Sequence, residues 1–290
     1  TSSTPTPTGA EAPVGVGVLL VGILDKIGTF GFLRYCLVLF PAASTQLAPL
    51  VLVLSVVGVL YGALLAVGQN DMKRLVAYVS IAHFGFIGLG IFAFTSQSLT
   101  GAVLYMVNHG IATGMLFLVV GMVIARGGSR LISDYGGMSK VTPLLGGLFL
   151  VAGLAALSLP GMNSFVSEFL VLVGSFGREP VFTVLATIGM ILAALYVLWA
   201  YQRVMQGPVR GNALVGAAGG PGTMIAPEVG AKRSISDLNR REVAVLAPLV
   251  ALIIALGIYP KPVLDVITPT VNATMNSVGL SDPVPAQGGN

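Results

Sequence analysis

Residues 158–171 read SLPGMNSFVSEFLV, and they interrupt an otherwise apolar stretch. The run LLGGLFLVAGLAAL precedes them, and FLVLVGSF closes the stretch beyond Glu168. The segment 143–175 is longer than the roughly 20 residues one helical crossing of a bilayer needs. Pro160 has no N–H and disturbs the turn before it. Backbone groups freed at such a break need side chains or water, so a break at membrane depth lines a cavity. Glu168 stands eight residues beyond the proline, on the second half of the broken helix. Ser164, Glu168 and Ser175 recur at spacings of four and seven and put a polar stripe on that half. Discontinuous helices with polar groups near mid-depth are a property of transporters.

The rest of the chain agrees with a membrane setting. Of 290 residues, 55% are hydrophobic and 9% charged, far below the quarter or so usual in soluble domains. The 38 glycines suit close helix packing in lipid. The sequence predicts an all-α polytopic membrane protein with seven spans, at about 14–39, 47–68, 74–94, 99–125, 143–175, 181–205 and 243–259. The last is expected to run on towards 268 despite Pro260 and Pro262. Residues 1–12 read as a Ser/Thr/Pro tail, 206–242 as a Gly-rich basic loop, and 269–290 as a polar tail.

A net charge of +4 does not imply nucleic acid here, because the basic residues lie mostly in short loops. With the N-terminus inside, the inner loops hold Lys73, Arg74, Arg126, Arg130, Lys140, Arg203, Arg210, Lys232, Arg233, Arg240 and Arg241. The outer side holds Arg34, Arg178 and Lys261. That asymmetry predicts an inner N-terminus and an outer C-terminus. Cys36 is the only cysteine, so neither an internal disulfide nor a thiolate metal cluster is expected.

Lys26 belongs to neither side. It lies ~18 Å from either end of the first span, too far for its side chain to reach water, and it needs a polar partner or cavity. Asp25 points about 100° away around the helix and does not share its face. His83 and His109 are the only histidines, both near the middle of their spans. Ser80 and His83 share a face, and Tyr105, His109 and Thr113 form a second stripe. Imidazole titrates near neutrality and can pass protons. Each of these groups could instead be a hydrogen-bonded tie between helices. Lys73, in GQNDMKRLVAY, reads first as an inner-edge anchor and second as a group that loads protons from the inside. DYGGM and DLNRRE read as loop structure, caps and contacts. No phosphate-binding loop, haem ligand set or metal-ligand cluster accompanies them, so no cofactor or metal is expected in this chain.

At these residues the chain resembles a known family. GQNDMKRLVAYVSIAHFGFIGLG, YMVNHGIATGMLFLVVG, DYGGM and LSLPGMNSFVSEFLVLVGSF are similar to the antiporter-like subunits of respiratory complex I, from about Glu11 to Pro262. Glutamate at 168, where related types usually have lysine, points to the M type, the counterpart of mitochondrial subunit 4. The resemblance implies about fourteen spans in two inverted five-helix repeats, of which this chain would carry the second, at 43–205. It is therefore expected to be part of a longer protein. Lys26 would match the lysine linking two half-channels, His83 and His109 the central axis, and Glu168 the acidic outlet. Expected partners are other membrane subunits of NADH-quinone oxidoreductase, lipid and protons, in the inner membrane of a bacterium. The chain would carry no redox site of its own. Departures from the family wording include Asp25, where an apolar residue is common, and Met162 after the Pro-Gly pair. A subunit of a multi-subunit sodium/proton antiporter and a non-conducting half-length scaffold are the competing readings.

Overall fold

The computed structural model describes residues 13–210, 214 and 235–283. The predicted tail at 1–12, most of the loop at 206–242, and residues 284–290 lie outside the described residues. The described chain is helical, and its one β-type contact is an isolated antiparallel bridge between Asp71 and Leu131.

Six helices are long and apolar enough to cross a membrane. They are α1 (Val14–Leu39), α2 (Pro41–Val67), α3 (Met72–Phe92), α4 (Ser96–Gly127), α7 (Pro180–Met205) and α8 (Arg240–Ile258). The expected break in the fifth segment is present. Two shorter apolar helices, α5 (Pro143–Ala156) and α6 (Asn163–Phe176), replace one long one.

Two readings of the sequence are corrected at the C-terminal side. The span expected to run to 268 stops at Ile258, and α9 (Lys261–Val278) follows as a separate helix. Pro260 precedes α9 and Pro262 stands in its first turn, where the missing N–H costs nothing. Part of the expected polar tail is thus helical: Ile267, Val271 and Met275, four residues apart, bury one face of α9. The inner loop is also shorter than expected, because α8 begins at Arg240 with Asn239 and Glu242 forming a reciprocal cap.

The long helix α4 is central, in contact with α1, α3, α5, α6, α8 and α9. Thr95 caps its start, accepting from Ser98 N at 3.0 Å, and the same hydroxyl lies 2.9 Å from the Gly174 carbonyl of α6. Gly128, with φ of 74°, ends it. On the side expected to be inner, Arg126 forms a paired contact with Glu242 at 3.0 and 2.6 Å. Asp237 accepts from the amides of Leu144 and Leu145 at 2.8 and 3.1 Å, so the DLNRRE segment ties α4, α5 and α8 together.

The buried apolar side chains fall into two clusters, and the division cuts across every helix of interest. On α3 one cluster takes Met72 to Ala82 and the other begins at Phe86. On α4 the division falls between Tyr105 and Ala112. On α1 it separates Val21 from Leu37, and on the broken pair it separates Ala156 from Val171. His83, His109, Lys26 and Glu168 each lie within one of these four intervals. The packing therefore leaves a polar layer between two apolar ones.

Candidate functional site

Lys26 finds its partner within the chain. Its Nζ is 2.6 Å from His109 Nδ1 and 5.2 Å from the centre of the Phe84 ring. The same ammonium donates to the Val21 carbonyl of its own helix, next to a π-helical turn over Leu20–Leu24. His109 is fully buried, and its Nε2 is 3.1 Å from Ser80 Oγ. With lysine donating to Nδ1, the imidazole carries its hydrogen on Nε2 and donates it to Ser80. The two histidine rings meet edge to face, 5.3 Å apart and at 90°. Ser80, which shares a face of its helix with His83, bonds the histidine of the neighbouring helix.

The break supplies the other end of the row. Ser158 has φ of 60° and Gly161 of 93°, so the chain turns through two left-handed residues between α5 and α6. Such a conformation is costly for serine and is held by the surrounding packing. Glu168 is 4% exposed, one and a half turns into α6. Among the described residues it interacts with the hydroxyl-bearing Ser158, Tyr105 and Tyr196 and not with a basic side chain. A carboxyl so placed is a poor fixed charge and a good site for exchanging a proton. His83 faces the Ala156 carbonyl at the end of α5, so the histidine pair abuts the break. Lys26, His109, His83 and the broken helix thus form one continuous layer.

The NADH:quinone oxidoreductase/Mrp antiporter transmembrane family matches residues 5–195. The chain belongs to that family. This antiporter-family chain is 49% identical over 277 residues to NADH-quinone oxidoreductase subunit M of Mycobacterium tuberculosis, covering 95% of itself and 46% of the relative. It is 39% identical to NADH-ubiquinone oxidoreductase chain 4 of Marchantia polymorpha, covering 88% and 48%. The chain spans about half the length of these relatives. Among solved structures, it is similar to a chain of respiratory complex I from Thermus thermophilus with bound NADH. The TM-score is 0.78 at 30% identity, over 92% of this chain and 52% of the other. A chain of the Mrp complex from Dietzia sp. DQ12-45-1b gives 0.76 at 22% identity over 93% and 56%, which shows a shared fold.

In the antiporter-family chain Lys73 does not join the layer. It stands in the first turn of α3, beside the Asp71 cap that accepts from Lys73 N at 2.9 Å. Ten residues of helix place it ~15 Å from His83 along the axis. Asp25 lines an open cavity of about 410 Å³ on the flank of the layer, together with Ala77, Ser80, Ile81 and Phe84.

Two asparagines were not legible as site residues. Asn108 Nδ2 donates to the Asn163 carbonyl at 2.8 Å, and Asn163 Nδ2 returns a bond to the Asn108 carbonyl at 3.1 Å. The pair clamps the start of α6 to α4 beside His109. An Asn directly preceding a mid-span His was the available signal. On the far side α8 closes over the break, where a Cβ added at Gly257 would overlap the Gly161 carbonyl. Asn108→Ala is expected to destabilise the fold by about 2 kcal/mol, since it removes the buried bonds of Asn108 Nδ2 to the Asn163 carbonyl and Ser167 Oγ and the bond that Oδ1 accepts from Asn163 Nδ2. Thermal unfolding in detergent checks this, and an unchanged midpoint would refute the clamp.

Proposed function

We propose that this chain is the second-repeat portion of an M-type, proton-translocating subunit of NADH-quinone oxidoreductase, working in the inner membrane of a bacterium. The observation that carries the reading is the direct contact of Lys26 with His109, leading through the histidine pair to a buried Glu168 at a broken helix. The chemistry needs no group beyond these side chains and water. Lys26 holds the proton against His109 Nδ1. A charge change in neighbouring subunits, driven by quinone reduction elsewhere, acts on Lys26 by Coulomb interaction, which is strong at low effective dielectric. Transfer of the proton to Nδ1 moves one positive charge from α1 to α4. Ser80, bonded to Nε2 and one turn before His83 on α3, offers the exit from His109. Glu168 receives the proton at the break and exchanges it with the outer side. The asymmetry of basic residues supports an inner N-terminus and an outer C-terminus.

In membrane vesicles holding the assembled complex, Glu168→Gln is expected to lower protons pumped per NADH while leaving much of the electron transfer intact. The amide keeps the shape of the side chain and cannot exchange the proton. An unchanged ratio of protons to electrons would refute the reading. Cation-driven flux without any redox input would favour the sodium/proton antiporter instead.

A further inference from the structure

The proposed row steps from Lys26 to His109 through a direct contact, and from His109 towards His83 through Ser80 beside the edge-to-face ring pair. Between His83 and Glu168 it lacks a carrier. Tyr105 stands in that interval. It lies on α4 one turn before His109 and is completely buried. Its ring centre is 5.7 Å from that of His83, and it is within electrostatic reach of Glu168 and Ser158.

Tyr105 Oη, His83 Nδ1 and Ser158 Oγ make no hydrogen bond of normal length among the described residues, although the Ser158 hydroxyl is placed to act on both Tyr105 and Glu168. Buried hydroxyls and imidazoles are paired as a rule. The buried Tyr105 hydroxyl in particular is not explained by packing, since phenylalanine would fill the same space with no group to satisfy. Convergent polar atoms of this kind give a water the several partners it needs. Ser158 is also the residue held in a left-handed conformation at the break, which fixes where its hydroxyl points. Tyr196 is close to Glu168 as well, but its helix, α7, brings no ring contact to either histidine among the described residues.

We propose that the Tyr105 hydroxyl relays protons between His83 and Glu168, with Ser158 holding it in line. This rests on the proton-translocating reading above. A proton leaves His83 Nδ1 and, through a bridging water, forms a new bond to Oη. The original phenolic O–H bond breaks as its proton passes to the Glu168 carboxylate. The phenol stays neutral throughout, His83 loses one positive charge and Glu168 loses one negative charge. Rotation about the C–O bond resets the hydroxyl.

The test uses the assembled complex in vesicles, with protons pumped per NADH as the readout. Tyr105→Phe is expected to lower the ratio to the level of Glu168→Gln, with NADH oxidation retained. Normal pumping by Tyr105→Phe beside impaired Glu168→Gln overturns the relay alone. Normal pumping by both overturns the proposed function with it. A second variant separates chemistry from packing: a fluorinated tyrosine at 105 keeps the ring and hydroxyl but makes the phenol more acidic. It is expected to retain the pumping that Tyr105→Phe loses and to change its solvent deuterium isotope effect, because the acidity of the relaying O–H enters the transfer rate. An unchanged isotope effect overturns the relay even where Tyr105→Phe impairs pumping or assembly.

Discussion

His109→Gln is expected to stop redox-driven proton pumping through this chain, lowering it on the order of tenfold or more, the scale on which positioned acid–base groups act. The substitution is chosen for what it preserves. An amide reaches nearly as far as the imidazole, its oxygen can accept from Lys26 Nζ, and its nitrogen can donate to Ser80. The lysine therefore keeps a partner in place of the 2.6 Å contact, and the helices keep their tie. What is lost is the ability to gain a proton on one side and release it on the other. His109→Leu would not separate these effects, since it strands a half-buried ammonium as well. Vesicles carrying the assembled complex, assayed for proton uptake and NADH oxidation together, read the result. Pumping at the unaltered ratio would show that His109 is a structural tie and that the lysine contact conducts nothing.

The largest stability effect is expected at a residue with no side chain. Gly85 of α3 lies flat against α2, where an added Cβ would overlap the Ser55 carbonyl oxygen and stand 2.7 Å from the Val59 amide nitrogen. Both obstacles are backbone, so neither can rotate away. Gly85→Leu must push the two helices apart, and overpacking against rigid backbone costs about 3 kcal/mol or more. His83 is two residues away on α3, so the same displacement would pull it from the His109 ring. Loss of assembled protein from the membrane and a lowered unfolding midpoint are the expected readings. A variant that assembles with an unchanged midpoint would show that α2 and α3 have slack at this crossing.

The fold was largely legible because the forces that fix it act locally in sequence. Apolar runs long enough to span, a proline in one of them, and charge confined to connections were enough to place the helices. The four mid-depth groups stood out for the same reason, since ionisable residues are expensive at that depth. What the sequence did not contain was partnership. Ser80 shares a face with His83, yet the inter-helix geometry gives it to His109. Lys26 needed a partner, and nothing in its own span could say that the partner sat 83 positions away. Asn108 and Asn163 look like ordinary polar residues until the two helices are brought side by side. The helix α9 was hidden by its composition: Thr, Asn and Pro dilute its apolar signal, although Ile267, Val271 and Met275 keep a clean spacing of four.

The first span is not a uniform α-helix. Its two π-helical turns, over Leu20–Leu24 and Phe32–Cys36, each fit one residue more than an α-helical turn does. Every such surplus residue rotates the helix beyond it by roughly 100° relative to an ideal count. Lys26 follows the first surplus and precedes the second, so a single phase step sets the compass bearing of the charge. The bearing is written in the number of residues per turn, not in which residues they are. A helical wheel drawn for this span at constant pitch would aim the lysine at the wrong neighbour.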